Sequence, residues 1–173
     1  MDIHLWEVAD RSSEVETAIT LVDLKAWMRV NHAHEDTLIE SLREASFGYA
    51  EEYCRVFLAL TTATRNYSSF NGDCIILDGY NIKDIILLDG DATPIPYTLK
   101  LTDSKAILTL ETSLIDSEIS VTFTSGFETF PASLTLTLKI IANTMYSQRE
   151  DSVFKLPTFV SSKLNPYKLF KVK

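Results

Sequence analysis

Glycine and cysteine are scarce in this chain of 173 residues, with five glycines and two cysteines. So few glycines leave little material for a backbone nest around phosphate. Two cysteines, Cys54 and Cys74, cannot make a disulfide scaffold and suit a reducing compartment. Both read as small buried hydrophobes. No apolar run reaches the roughly 18 residues of a membrane-spanning helix. The acidic opening stretch, MDIHLWEVADRSSEVE, lacks the positively flanked apolar core of a signal peptide, so none is expected. GxSxG, CxxC and HExxH are missing, as is any visible nucleophile–base pair. His32 and His34 have no third ligand in spacing and read as a surface loop. Asp89-Gly90-Asp91 begins like a calcium loop, but Pro94 and Lys100 stand where its Gly and Glu belong. Turn chemistry explains these aspartates. The sequence therefore predicts no enzyme, no metal and no cofactor.

What remains is ordinary globular material, 46% hydrophobic and 23% charged, enough for one domain with appendages. The net charge of −8 is unevenly spread. Residues 151–173 carry five lysines and one acid, a net +4, against −12 for the first 150 residues. An acidic body repels nucleic acid, since phosphate binding needs clustered Lys and Arg.

Hydrophobic spacing divides the chain. Residues 1–19 read as an arm. Thr20 is a helix N-cap with Asp23 at its third position, and Leu21, Leu24, Trp27 and Met28 share a face. After a break at Asn31–His34, a long helix over 35–58 is expected, with Leu38, Ile39, Leu42, Ala45, Tyr49, Tyr53 and Phe57 as its core stripe. Residues 60–127 hold five or six short runs rich in Ile, Leu, Thr and Val between turn residues such as Asn71-Gly72-Asp73, which predicts an antiparallel sheet or sandwich. Residues 131–150 satisfy both strand and helix periods, and Pro131, suited to a first helical turn, favours helix. Leu136 and Ile140 then lie off its main face and are assigned to a subunit interface. Residues 151–173, with prolines at 157 and 166, predict an extended basic tail that docks on a partner. Its anchors are Phe154, Lys155, Leu156, Phe159, Lys163, Tyr167, Leu169, Phe170 and Lys171. The expected fold class is α+β. A small helical bundle, from N-terminal helices (20–58) and a C-terminal helix (131–150), holds an inserted sheet or sandwich (60–127), with extended arms at 1–19 and 151–173.

Three stretches carry a family resemblance. Thr20-Leu21, Leu24-Lys25, Arg29-Val30, His32, Glu35-Asp36, Leu38-Ile39 and Ala50-Glu51-Glu52-Tyr53 resemble the opening helices of the phage head–tail connector (adaptor) family. The likeness is to its longer, gp6-like version with a β-rich insertion. Val121–Phe127 is similar to the strand before that family's last helix. Pro131, Leu138, Ala142, Tyr146 and Arg149-Glu150 follow the pattern of that helix. The resemblance spans roughly 20–55 and 119–150. It implies a structural virion protein made in the host cytoplasm and placed in the neck. As an adaptor it forms a ring, a dodecamer, between the portal protein and a stopper or tail-side neck protein. DNA crosses the channel without specific binding, and no membrane is involved. A stopper or head-completion protein is the nearest alternative, and a β-sandwich binding module a more distant one. The tail anchors would contact the portal or a neighbouring subunit.

Overall fold

The computed structural model describes residues 6–11, 19–148 and 157–169. Phe154, Lys155, Leu156, Phe170 and Lys171 of the expected tail lie outside them. The fold is α+β, and the chain divides into two compact units. A sheet unit comprises Met1–Ser12, Arg55–Phe127 and Leu169–Lys173, and a helical unit comprises Ser13–Cys54 and Glu128–Lys168.

The helical unit gathers four helices: α1 (Leu21–Met28), α2 (Asp36–Cys54), α3 (Ala132–Ser147) and α4 (Thr158–Leu164). Thr20 caps α1 as its sequence indicates, accepting from the Asp23 amide at 3.1 Å and relieving an orphan donor. Arg29 ends α1 in the left-handed region at φ 59, and the Val30 amide reaches back to the Lys25 carbonyl at 2.9 Å. That pairing is a Schellman closure. Lys25 pairs with Asp36, and Tyr146 donates to Glu35 at 2.6 Å, so both sides of the α1–α2 turn are tied down.

Two sequence expectations for α2 need correction. The helix stops at Cys54, because Arg55 turns left-handed at φ 61 and breaks the ladder four residues before the expected end. Its buried face is Ile39, Arg43, Ser46, Phe47, Ala50, Glu51 and Cys54. Of the expected stripe only Ile39 and the post-helical Phe57 are buried; Leu38 and Ala45 are exposed, and Leu42, Tyr49 and Tyr53 half-buried. Apolar periodicity misplaced the face because the buried side carries polar and small residues.

The doubled periodicity of α3 has a physical resolution. The hydroxyls of Thr137, Thr144 and Ser147 bond the carbonyls four residues back, at 2.7, 2.7 and 2.8 Å. These residues thus satisfy themselves on a helix. Leu134, Leu138, Ile141 and Ala142 then form the buried face.

The sheet unit contains β1 (Glu7–Arg11), β2 (Thr61–Asp78), β3 (Lys83–Asp89), β4 (Tyr97–Thr102) and β5 (Lys105–Ser125), ordered β1-β2-β5-β3 with β4 also on β5. Sequence turn signals suggested more, shorter strands; β2 and β5 instead run through them. Asn71-Gly72-Asp73 lies inside β2 at a register irregularity, with Gly72 at φ 140. The seven steps from Tyr67 to Cys74 lie against ten from Thr109 to Ile119, so β5 bulges there and the ribbon bends. The bend must be large. Asp78 pairs with Lys105 and Lys83 with Thr124, so five steps of chain, at most about 18 Å, join points nineteen residues apart on β5. A straight strand of that length would span about 60 Å.

Both ribbon ends meet at the short link between β2 and β3. The Gly79 amide donates to the Ser104 carbonyl at 3.0 Å, and the Gly126 amide to the Tyr80 carbonyl at 2.8 Å. Gly126 sits at φ 125, where an added Cβ would stand 2.2 Å from the Ala59 carbonyl oxygen. The curled sheet closes over one apolar cluster, including Ala63, Ile75, Leu77, Leu87, Leu108, Val121 and Phe123 from its two halves. Trp6, just before β1, adds an edge-on contact to Phe123 with ring centroids 4.8 Å apart.

Candidate assembly surfaces

The residues searched for chemistry resolve into structure. His32 and His34 are exposed in the α1–α2 turn, with ring centroids 5.7 Å apart. No group of three or more His, Cys, Asp or Glu among the described residues is placed to hold a metal ion. Asp89 accepts from the amides of Asp91 and Thr93 at 3.0 and 2.7 Å, so its carboxylate closes the turn. An open cleft of about 380 Å³ in the sheet unit is lined by Asn66, Tyr67, Ser68, Asp89, Glu118 and Ser120 among others. It contains no thiol, imidazole or amine. Among the described residues no helix is long and apolar enough to cross a membrane.

The two cysteines differ. Cys54 is fully buried; burial pushes its thiol up to about 12, with Lys168 pulling it down and Glu51 adding to the rise. Cys74 is exposed, contrary to expectation. It precedes Ile75 in β2, and side chains alternate faces, so the residue next to a core-facing Ile points outward.

The C-terminal segment departs from the extended form its prolines suggested. Residues 158–164 are helical, followed by a 3-10 turn at Asn165–Tyr167. Pro157 sits at the N-cap and Pro166 in that turn, so neither interrupts α4. Val160 and Leu164, one turn apart, are fully buried in the helical unit. Tyr53 donates to Asn165 at 2.8 Å, the Cys54 thiol faces the Leu164 carbonyl at 3.7 Å, and Ser133 and Tyr167 share a hydroxyl bond at 3.0 Å. Lys168 stands 4.3 Å from the Tyr53 ring centroid, a cation–π contact. Among the expected tail anchors, Phe159 and Lys163 are exposed and lie together, the ammonium 5.4 Å from the ring centroid. Tyr167 and Leu169 are half-buried.

Several large apolar side chains stand outside the core. On the helical unit these are Val22, Trp27, Leu38, Leu136 and Phe159, with Val22 75% exposed. Leu136 is exposed and Ile140 half-buried, off the buried face of α3. On the sheet unit, Ile76, Ile86, Leu99, Leu101 and Ile115 are exposed, Ile115 standing at the bend with 80% of its surface free. Sequence periodicity pointed to Leu136 and Ile140. It missed Trp27 and Leu38, which were assigned to apolar faces, and Val22, which was assigned to none.

No family model matches the chain, and no curated protein matches it in sequence. Solved structures do resemble it in fold. It is similar to a chain from the neck of an empty GTA particle determined with C6 symmetry, at TM-score 0.75 and 16% identity, over 95% of this chain and 96% of that one. A chain from the virion of a native gene transfer agent (GTA) particle matches at TM-score 0.74 and 16% identity, over 98% and 97%. A chain from the neck of a native GTA particle determined with C12 symmetry matches at TM-score 0.72 and 18% identity, over 97% of each. Over at least 95% of its length the chain therefore shares the fold of these GTA particle chains.

Proposed function

We propose that this chain is a structural neck protein of a phage-like particle, acting as a head–tail adaptor. Its copies form a ring, a dodecamer, beneath the portal protein, with a stopper or tail-side neck protein docking below. DNA crosses the central channel without specific binding. The observation that carries the reading is the likeness in fold, over at least 95% of this chain, to chains of GTA necks and of a GTA virion. The adaptor role draws on the resemblance of residues 20–55 and 119–150 to the connector family.

Charge supports the same reading. A body of −12 over residues 1–150 suits a conduit, since a basic lumen would grip phosphates and slow transit. Exposed apolar side chains on the helical unit supply surface for subunit contact. Phe159 and Lys163, and the tail residues beyond the described ones, are the proposed portal or neighbour contacts, with the lysines drawn to an acidic surface.

Co-sedimentation with purified portal protein tests the proposal. An adaptor pellets with portal in the absence of any other neck protein. A stopper pellets only once an adaptor is supplied, and a free-standing binding module stays in the supernatant in both cases. Deleting 151–173 is a poor companion test because Val160 and Leu164 belong to the helical core. The exposed pair Phe159→Asp and Lys163→Glu probes the tail without that loss.

A further inference from the structure

We propose that the outer edge of β4 is an acceptor for the C-terminal segment, residues 169–173, of a second copy of this chain, which adds there as a strand. This rests on the ring reading above and names one contact that would hold the ring together.

β4 differs from the outer strands β1 and β3. β1 breaks register between Val8 and Asp10, and β3 between Lys83 and Ile86, with Asp84 in the left-handed region at φ 51. Such irregularities blunt a sheet edge against further pairing. β4 pairs with β5 through six consecutive residues without a shift. Among the described residues no strand pairs with its other side. Thr98 to Thr102 are all exposed.

Its side chains add a reason to be covered. Leu99 and Leu101 pair with Leu108 and Ala106, both of which face the core. Directly paired residues project to the same face, so these leucines continue the core-side row of the sheet. Yet they remain 41% and 55% exposed. The apolar face of this sheet runs one strand farther than its own chain covers.

The donor has the matching pattern. Lys168 leaves the 3-10 turn in extended conformation, φ −79 and ψ 124. Lys168-Leu169-Phe170-Lys171-Val172-Lys173 has no glycine or proline, and Phe170 and Val172 alternate with Lys171 and Lys173. At strand period, Lys168, Phe170 and Val172 fall on one face and Leu169, Lys171 and Lys173 on the other. Added to β4, Phe170 and Val172 extend the row of Leu99 and Leu101 and leave Lys171 and Lys173 in water. Donor and acceptor are different surfaces of one chain, so the contact is head-to-tail, the kind that closes a ring. Backbone bonds then give affinity and alternate side chains give register.

Disulfide trapping tests this on the assembled protein. Leu101→Cys or Leu99→Cys is combined with Val172→Cys in a Cys74→Ser background, with Cys54 buried and left in place. Paired residues on adjacent strands lie within disulfide range. Mild oxidation of the ring, alone or on portal, should give a ladder of covalent multimers on a denaturing gel. A bond formed only within single chains overturns the proposal, as does a ring that assembles with no bond in either register. In parallel, Leu99→Asp with Leu101→Asp should weaken ring association at least about tenfold, with the melting temperature of the protomer little changed. Unaltered association contradicts the proposal. Should the wild-type chain form no ring alone or on portal, the neck reading falls and this contact with it; a ring without trapping overturns only the contact.

Discussion

The sheet unit encloses an almost purely apolar cluster: Ala63, Ile75, Leu77, Leu87, Leu108, Val121 and Phe123 with their neighbours. The buried face of α2 in the helical unit instead mixes Ile39, Phe47 and Ala50 with Arg43, Ser46 and Glu51. At the same time the helical unit leaves Val22, Trp27, Leu38, Leu136 and Phe159 outside. The sheet unit likewise leaves Ile76, Ile86, Leu99, Leu101 and Ile115 outside, so the units differ in what they bury: among the described residues the buried charged side chains, Arg43 and Glu51, both lie in the helical unit.

The comparison breaks most visibly at the sheet closure. Gly126→Ala places a Cβ 2.2 Å from the Ala59 carbonyl oxygen at a φ of 125, so the strand must shift and lose its bonds to Tyr80 and Leu58. We expect a loss of about 4 kcal/mol or more, in the range kept for backbone strain and broken networks, read by denaturant unfolding. A stability within about 1 kcal/mol of wild type would mean that the curled sheet is not held at that point.

In the helical unit, Leu138→Ala should cost about 2–5 kcal/mol, because Leu138 is fully buried on α3. Leu42→Ala, at a half-buried position of α2, should cost only about 1 kcal/mol. Equal losses would restore the stripe that apolar spacing suggested and undo the polar face described here.

Alkaline titration sharpens the picture at Cys54. Its thiol is raised from 9.0 to about 12, so the folded state keeps the proton that the unfolded chain releases. Stability from this group is present below pH 9 and declines between pH 9 and 12. Cys54→Ala should flatten that part of the decline in pH-dependent melting, and a thiol reagent at pH 8 should label Cys74 and spare Cys54. Rapid labelling of both would place Cys54 at the surface.

The smallest effect on the protomer is expected at Leu136. Leu136→Asp on an exposed helix position should change stability by about 0.5 kcal/mol or less, while reducing ring formation or portal attachment. Circular dichroism showing a collapsed fold would assign Leu136 to the protomer core instead.

How legible the fold was depended on where polarity tracked burial. Thr20 with Asp23, the helix over 131–150 and the β-rich middle could be read, because capping, Pro131 and strand-like composition act locally. The buried face of α2 could not, since Arg43, Ser46 and Glu51 carry no apolar signal. The span of β2 and β5 through Asn71-Gly72-Asp73 was hidden because a turn tripeptide also serves as a strand bend. The tail misled through its prolines, which bracket α4 instead of breaking it. Leu136 was identifiable as a surface candidate by its offset from Leu134, Leu138 and Ile141. Trp27 and Val22 were not, because exposure on a short helix depends on which neighbours pack, and spacing does not name them.

Electron cryo-microscopy of the purified chain mixed with portal protein tests the central claim most directly. The account predicts a ring of this chain stacked coaxially on the portal, with twelve copies and an open channel. Portal particles that carry no added density at saturating concentrations of the chain would contradict it.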